Sequence, residues 1–425
     1  MNIKNNLNKI NSKLSNSLSN ISNSVYFLFL VFSFIVDTIF FRKTLISVDL
    51  TNWHTQLLTV DYSYGFTRRA FLGTFTALLK NILGIEYITA IKLVQGIGLF
   101  LFAAAMLLFF YGVLKLKNEK SFCFITLLYI SLSHFGFQLN LFGLFDTYLM
   151  AFTILMLYLI IKDKALFLVP VLSGISVLIH EAYPMMFFGV VVAVLIYRFC
   201  YAEDKAEKRK YALVFVITGL VVSVLFYLTY FKFAKIANPD ADAIIASCRE
   251  KLGGDFPVGN LRTLWIDPKP IAESLRANSH MWIEGKPTYL FWIYIMLPFL
   301  NLIVCSPLVM LVFMFWKGII KNEPSRFKKA LLILCSISIL LIIPLIIFHM
   351  DQARWFYDVI FFEITVIGAI FFINANNERK VLSELTKIGI FKIFLLVFYF
   401  VFFFQLVPGQ LGFITLFYVK CILLI

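Results

Sequence analysis

The feature that most constrains this chain is a repeated one: apolar runs of near-membrane length, separated by short Lys-rich links. A bilayer core about 30 Å thick takes about 20 apolar residues as a helix. Inside hydrocarbon, the backbone polar groups of such a segment must be satisfied within it. The runs fall at 25–41, 88–114, 121–139, 141–161, 165–178, 185–198, 211–231, 289–316, 330–348, 356–373 and 390–406, with a short one at 411–425. The expected fold class is all-α: a polytopic transmembrane helical bundle of about 11–12 spans, with amphipathic helices in its outer loops.

Composition agrees with that reading. Hydrophobic residues make up 61% of the chain and charged residues 15%. A soluble domain carries about 45–50% and about 25%, so an ordinary water-soluble enzyme is excluded. Forty-nine Phe against 20 Gly and 12 Pro exclude disorder and collagen-like arrays. The six cysteines, Cys123, Cys200, Cys248, Cys305, Cys335 and Cys421, have no paired spacing. They read as packing residues, with neither a disulfide framework nor a metal site.

Residues 1–24 are polar, basic and acid-free and read as a cytoplasmic tail, with 25–425 as one transmembrane domain. The first run is too long for a signal h-region and lacks a small-residue cleavage site, so it reads as a retained span. The net charge of +14 does not point to nucleic acid. With the N-terminus inside, the links KLKNEK, KDK, AEDKAEKRK, KNEPSRFKK and NERK all fall on the cytoplasmic side, as the positive-inside rule requires. The expected location is the bacterial cytoplasmic membrane, multi-pass. Two long outer segments remain, 42–87 and 232–287. The first contains an amphipathic stretch, 69–83, with Phe71, Leu72, Phe75, Leu78 and Leu79 near one face, expected to lie in the interface plane. The second should hold a helix from Asp240, its N-cap, to a stop at Gly253-Gly254, and another helix from Pro270.

Ionisable residues in or beside spans are costly, so they mark function. All five histidines (His54, His134, His180, His280 and His349) fall on the outer side under this topology. The cytoplasmic links carry no Gly-rich phosphate cradle. A site facing outward has no nucleotide pool, so a group-transfer enzyme there needs a lipid-carried donor.

Three clusters are candidates. In ISVDLTNWHTQLLTVDYSYGFTRRAFLG, Asp49 or Asp61 can act as a base toward an acceptor hydroxyl, and the Arg68-Arg69 forks match phosphate oxygens. The alternative is an interfacial helix whose arginines snorkel to headgroups. In FHMDQARWFYD, Asp351, Arg354 and Asp358 share a helical face, and Trp355 offers either a sugar platform or a belt anchor. Glu363 lies deeper. In LIHEAYPMM, His180-Glu181 occupies a break between two apolar half-spans. It is not the zinc-protease pattern, because position 184 is Pro. A polar pair plugging the break is the alternative. Asp146 is expected to pair structurally with Arg354 or Lys92.

This layout resembles the GT-C class of integral-membrane glycosyltransferases. The resemblance implies a polyprenyl-phosphate-linked sugar donor and a glycan or lipid acceptor at the outer face of the bilayer. It implies a base at Asp49 or Asp61 and phosphate contacts at Arg68, Arg69 and Arg354, with His180, Glu181, Asp351 and Trp355 as further substrate-binding candidates. No metal ligand is assigned, and a need for a divalent metal stays open. Two rival readings remain. An O-antigen or capsule polymerase would use the long outer segment with Arg249, Arg262 and Arg276. A transporter or flippase of lipid-linked saccharides would need internal pseudo-symmetry.

Overall fold

The computed structural model describes residues 53–114, 145–232, 241–254, 306–342 and 352–374, with positions 24–25, 28, 31–32, 35, 282–283 and 286–287. The expected spans at 121–139, 390–406 and 411–425, the expected N-cap Asp240 and the helix from Pro270 lie outside these residues. The described chain is helical apart from a two-residue antiparallel ladder, Trp282–Ile283 with Lys286–Pro287.

Twelve helices order the described chain: α1 Trp53–Leu57, α2 Ala70–Leu83, α3 Tyr87–Leu114, α4 Asp146–Lys162, α5 Leu168–Ile179, α6 Tyr183–Met186, α7 Phe188–Tyr201, α8 Lys205–Tyr227, α9 Ala241–Leu252, α10 Ser306–Asn322, α11 Arg326–Ser338 and α12 Gln352–Ile373. Their ends follow local chemistry. Asp163 ends α4 in the left-handed region at φ 54°, and its N–H returns to Ile160 and Leu159. Pro184 sits in the first turn of α6, where a missing N–H costs nothing, and so the break after His180 is sharp. Helix α8 starts six residues before the expected span because Asp204 caps it, accepting from Glu207 N at 2.7 Å. Helix α10 runs six residues past its expected end, and Ser325 then caps α11. Gly253, at φ 72°, stops α9 where expected.

Helix α7 is the hub. It is buried along most of its length and packs against α4, α8, α11 and α12. Its approach to α11 is backbone to backbone: Ser338 Oγ donates to the Gly189 carbonyl at 3.0 Å, and a Cβ on Gly189 would stand 2.0 Å from the Ser338 carbonyl oxygen.

Among the described residues two helices are long and apolar enough to cross a membrane, Tyr87–Phe109 and Lys205–Phe231. On α8 a stripe of Leu213, Val216, Leu220, Val224 and Tyr227 is exposed. An apolar stripe of this kind is a surface for lipid or for another protein. Ala70–Leu83, Leu168–Ile179 and Phe188–Tyr201 are apolar but shorter.

Heights are therefore uneven. At 1.5 Å per residue α3 reaches about 42 Å, whereas α7 reaches about 21 Å and α5 about 18 Å. The two ends of α5 also differ. Near its start, Asp163 accepts from Lys210 and from Tyr211, and Arg198 donates to the last carbonyls of α4 at Ile160 and Ile161. Burial opposes ionisation of Asp163, but the bonds from Lys210 and Tyr211 outweigh it and hold the carboxyl below its usual range. At the other end stands His180-Glu181.

Candidate functional site

Part of the segment expected in the first outer loop is buried. Thr55 to Asp61 are buried, and α2 is seated on them so closely that a Cβ on Gly73 would stand 1.8 Å from the Val60 carbonyl oxygen. The expected interfacial face of α2 is thus divided. Leu72, Gly73 and Thr76 are buried, Phe71, Phe75 and Leu79 pack partly against the core, and Leu78, Ile82 and Leu83 are exposed. The packing follows Gly73, the one position where the helix can approach Val60, and not the centre of the apolar face.

Arg69 opens α2 as a non-glycine N-cap at φ 62°, with no side-chain cap bond. A left-handed L-residue costs about 1–2 kcal/mol, so the conformation needs an anchor. Glu181 supplies it. Arg69 Nε donates to Oε2 at 2.9 Å and Nη2 to Oε1 at 2.5 Å, a two-pronged fork joining residues 112 apart in sequence. Arg68 Nη1 stands 3.9 Å from Oε1. Glu181 is 5% exposed, Arg68 9% and His180 9%, so the cluster is enclosed. Burial alone would raise the Glu181 carboxyl; Arg69 and Arg68 reverse that and hold it well below the carboxylate range. His180 Nδ1 accepts the Ala182 N–H at 3.0 Å and stands 3.7 Å from Glu181 Oε2.

Asp61 is occupied otherwise. Its Oδ1 accepts from Ser63 N at 2.9 Å and from the Ser63 hydroxyl, and Oδ2 accepts from Lys251 Nζ at 2.9 Å. Burial opposes its ionisation, but the Ser63 and Lys251 bonds outweigh it and leave the carboxyl below its usual value. It is a weaker base for that reason. Next to it, burial lifts the Tyr62 phenol to about 12.

The structure thus brings Arg68, Arg69, His180 and Glu181 into one cluster and joins Asp61 to Lys251 of α9. Sequence reasoning missed Lys251. Its signal was the spacing of Lys251 with Ile244 and Cys248 on one helix face, which turns the lysine toward whatever that face covers. Asp49 and Asp351 lie outside the described residues, and so do the side chains of Arg354 and Trp355. Asp146, in the first turn of α4, and Asp358, in the second turn of α12, are fully buried. Glu363, also buried, accepts from Trp316 Nε1 at 2.9 Å across the α10–α12 contact. Among the described residues no three of His, Cys, Asp and Glu converge in a group that could hold a metal ion. No family model, curated protein or solved structure matches the chain, and the chemistry of the cluster follows from its own charges and distances.

Proposed function

We propose that the chain is a multi-pass protein of the bacterial cytoplasmic membrane, with its N-terminus cytoplasmic and about 11–12 spans. In this reading it is a GT-C-like glycosyltransferase that draws on a polyprenyl-phosphate-linked sugar at the outer face, in synthesis of a cell-surface polysaccharide or glycolipid. The observation that carries the reading is the convergence of Arg68, Arg69, His180 and Glu181 at the His180 end of α5. Interfacial arginines that merely snorkel would not meet a buried carboxylate 112 residues away.

Height gives the convergence a meaning. Helix α5, about 18 Å long, falls well short of a hydrocarbon core of about 30 Å. Starting from the Lys-rich inner end, it brings Glu181 to a level below the outer headgroups. Arginine forks at that level can meet a lipid-borne phosphate without its leaving the bilayer. Arg68 is the phosphate contact, with Arg69 held by Glu181 as its positioning neighbour. Asp49 is the preferred base, since Asp61 is engaged by Lys251 and Ser63. Arg354 and Trp355 are assigned to the donor phosphate and sugar.

The test is glycan production in cells carrying variants at matched protein levels. Asp49→Asn should insert normally and make no glycan, because a loop carboxylate contributes little to stability while a base is indispensable to transfer. Arg68→Ala should lower donor use. Full activity in both variants sinks the assignment. Labelling of positions 203–210 by an impermeant reagent added outside would overturn the orientation on which it rests. The polymerase reading retains one observation in its favour: α9 of the long outer segment is seated on the first. It requires Arg249, Arg262 or Arg276 to be indispensable and Asp49 to be dispensable.

A further inference from the structure

The start of α8 and the hairpin formed by α10 and α11 meet at one end of the bundle. Tyr201, the last residue of α7, donates its hydroxyl to Glu323 Oε2 at 2.8 Å, and Lys328 Nζ lies 4.8 Å from the Tyr201 ring centroid. Arg198, one turn back, donates to the last carbonyls of α4. The basic stretches that follow α4, α7 and α10 therefore share this end.

The acids there are already engaged. Glu323 accepts from Tyr201 and, at 3.1 Å, from Ser325 N, while Asp163 accepts from Lys210 and Tyr211. Asp204 and Glu207 accept from backbone N–H groups at the start of α8. The hairpin tip is left with Lys317 and Lys321 on α10 and Arg326 and Lys329 on α11. Among the described residues none of these four cations has an acidic partner. Lys317, Lys321 and Arg326 are exposed. The first turn of α11 carries cations and no acid, which sets it against its own helix dipole. An anion from outside the chain would offset both costs. From the same tip an apolar stripe runs along α11: Ala330, Ile333, Ile337 and Leu340 are exposed at i+4, i+7, i+11 and i+14 from Arg326.

We propose that the α10–α11 hairpin tip binds an anionic phospholipid, its phosphate held by Lys321 and Arg326 and an acyl chain lying along the α11 stripe. Charge selects the headgroup, and an exposed apolar stripe beginning at the same residues selects a lipid over a soluble anion. In the proposed orientation the lipid belongs to the cytoplasmic leaflet. The site rests on the membrane reading and not on glycosyl transfer.

The test uses the full chain in nanodiscs of phosphatidylglycerol and phosphatidylcholine in equal parts, with the same acyl chains. The protein is released into detergent, and the lipids it keeps are counted by native mass spectrometry. The parent should keep phosphatidylglycerol over phosphatidylcholine; equal retention overturns the proposal. Lys321→Gln with Arg326→Gln should weaken phosphatidylglycerol retention about tenfold or more, since each cation near a membrane surface contributes severalfold. Lys321→Arg with Arg326→Lys keeps the charge and should keep the lipid. The control removes two charges from the start of α8, Lys205→Gln with Arg209→Gln, and should change retention little. Equal losses from the two Gln pairs mean diffuse surface attraction and overturn the site. Unchanged retention in Lys321→Gln with Arg326→Gln overturns it as well, and is the result expected if the tip serves an acidic protein. Orientation is read separately: labelling of Asn322→Cys by an impermeant reagent added outside would overturn the cytoplasmic leaflet, whereas retention is measured whichever leaflet supplies the lipid.

Discussion

Glu181→Ala is the perturbation that separates an ion pair from the two arginines it serves. The side chains of Arg69 and Glu181 are 20% and 6% exposed, so little water is at hand to replace the carboxylate. Removing one partner of a buried pair costs about 3–5 kcal/mol, because the remaining charge is left uncompensated. Here two guanidiniums lose the same partner. Replacing both ends, as in Arg69→Met with Glu181→Leu, removes one stranded charge and restores apolar packing, so the double variant should lose less than Glu181→Ala alone. The backbone enters separately. Arg69→Gly and Arg69→Ala lose the fork equally, but only glycine accepts φ 62° freely, so the Gly variant should be the more stable by about 1–2 kcal/mol. The assay is the thermal midpoint of the purified protein in detergent, followed by loss of the monodisperse peak at one fixed heating rate. The expected order is wild type, double variant, Glu181→Ala, with Arg69→Gly above Arg69→Ala. A Glu181→Ala midpoint equal to wild type would falsify the buried-pair argument, and equal Gly and Ala midpoints would remove the strain at Arg69.

Gly189→Ala should cost about 3 kcal/mol, since its Cβ would meet the Ser338 carbonyl at 2.0 Å and force α7 from α11. Gly96→Ala, with nothing within 4 Å, should instead gain up to about 1 kcal/mol of helix propensity; the thermal midpoints of the two variants move in opposite directions if the contact is as described. The Asp61–Lys251 pair should be insensitive to pH in the neutral range. Its carboxyl lies below the ordinary 3.8, so its contribution is complete above about pH 4 and is lost only as the pH falls through the lowered folded value. Protection of α9 amides, corrected for intrinsic exchange, should therefore be flat from about pH 5 to pH 8. A transition near neutrality would mean that groups other than Asp61 and Lys251 hold α9 against residues 59–61.

What was legible in the sequence follows from what each signal depends on. The break at His180-Glu181 and the stop at Gly253 were readable because Pro184 and Gly253 act through their own backbones. Helix starts were misplaced where a cap decides them. The apolar run at 211–231 gives no hint that Asp204 begins α8 six residues earlier, since a cap bond is local and hydropathy is averaged. The close seat of α2 on Val60 was not legible, because one glycine decides where two backbones touch and leaves no trace in the apolar pattern. From the sequence, Arg68-Arg69 and His180-Glu181 are expected to line one cavity, but the fork itself is not legible, because an ion pair spanning 112 residues leaves no periodicity. Lys251 was hidden for the same reason.

The Arg69–Glu181 fork then calls for an account that stability does not supply. A buried ion pair is often no better for stability than well-packed apolar residues, and this one also holds a left-handed arginine. Its contribution is positional. By fixing the Arg69 backbone, the fork sets where α2 begins, and with it the direction of the first N–H groups of that helix. The Arg69 side chain is spent on that fork and not on capping its own helix. Two guanidiniums thus share one enclosed point with a single carboxylate. Strain of this kind persists where the surrounding structure over-determines it, and it gathers at ligand clamps. In the proposed transfer reading, a lipid-borne phosphate would meet guanidiniums that are already oriented and would lose little ordering entropy on binding.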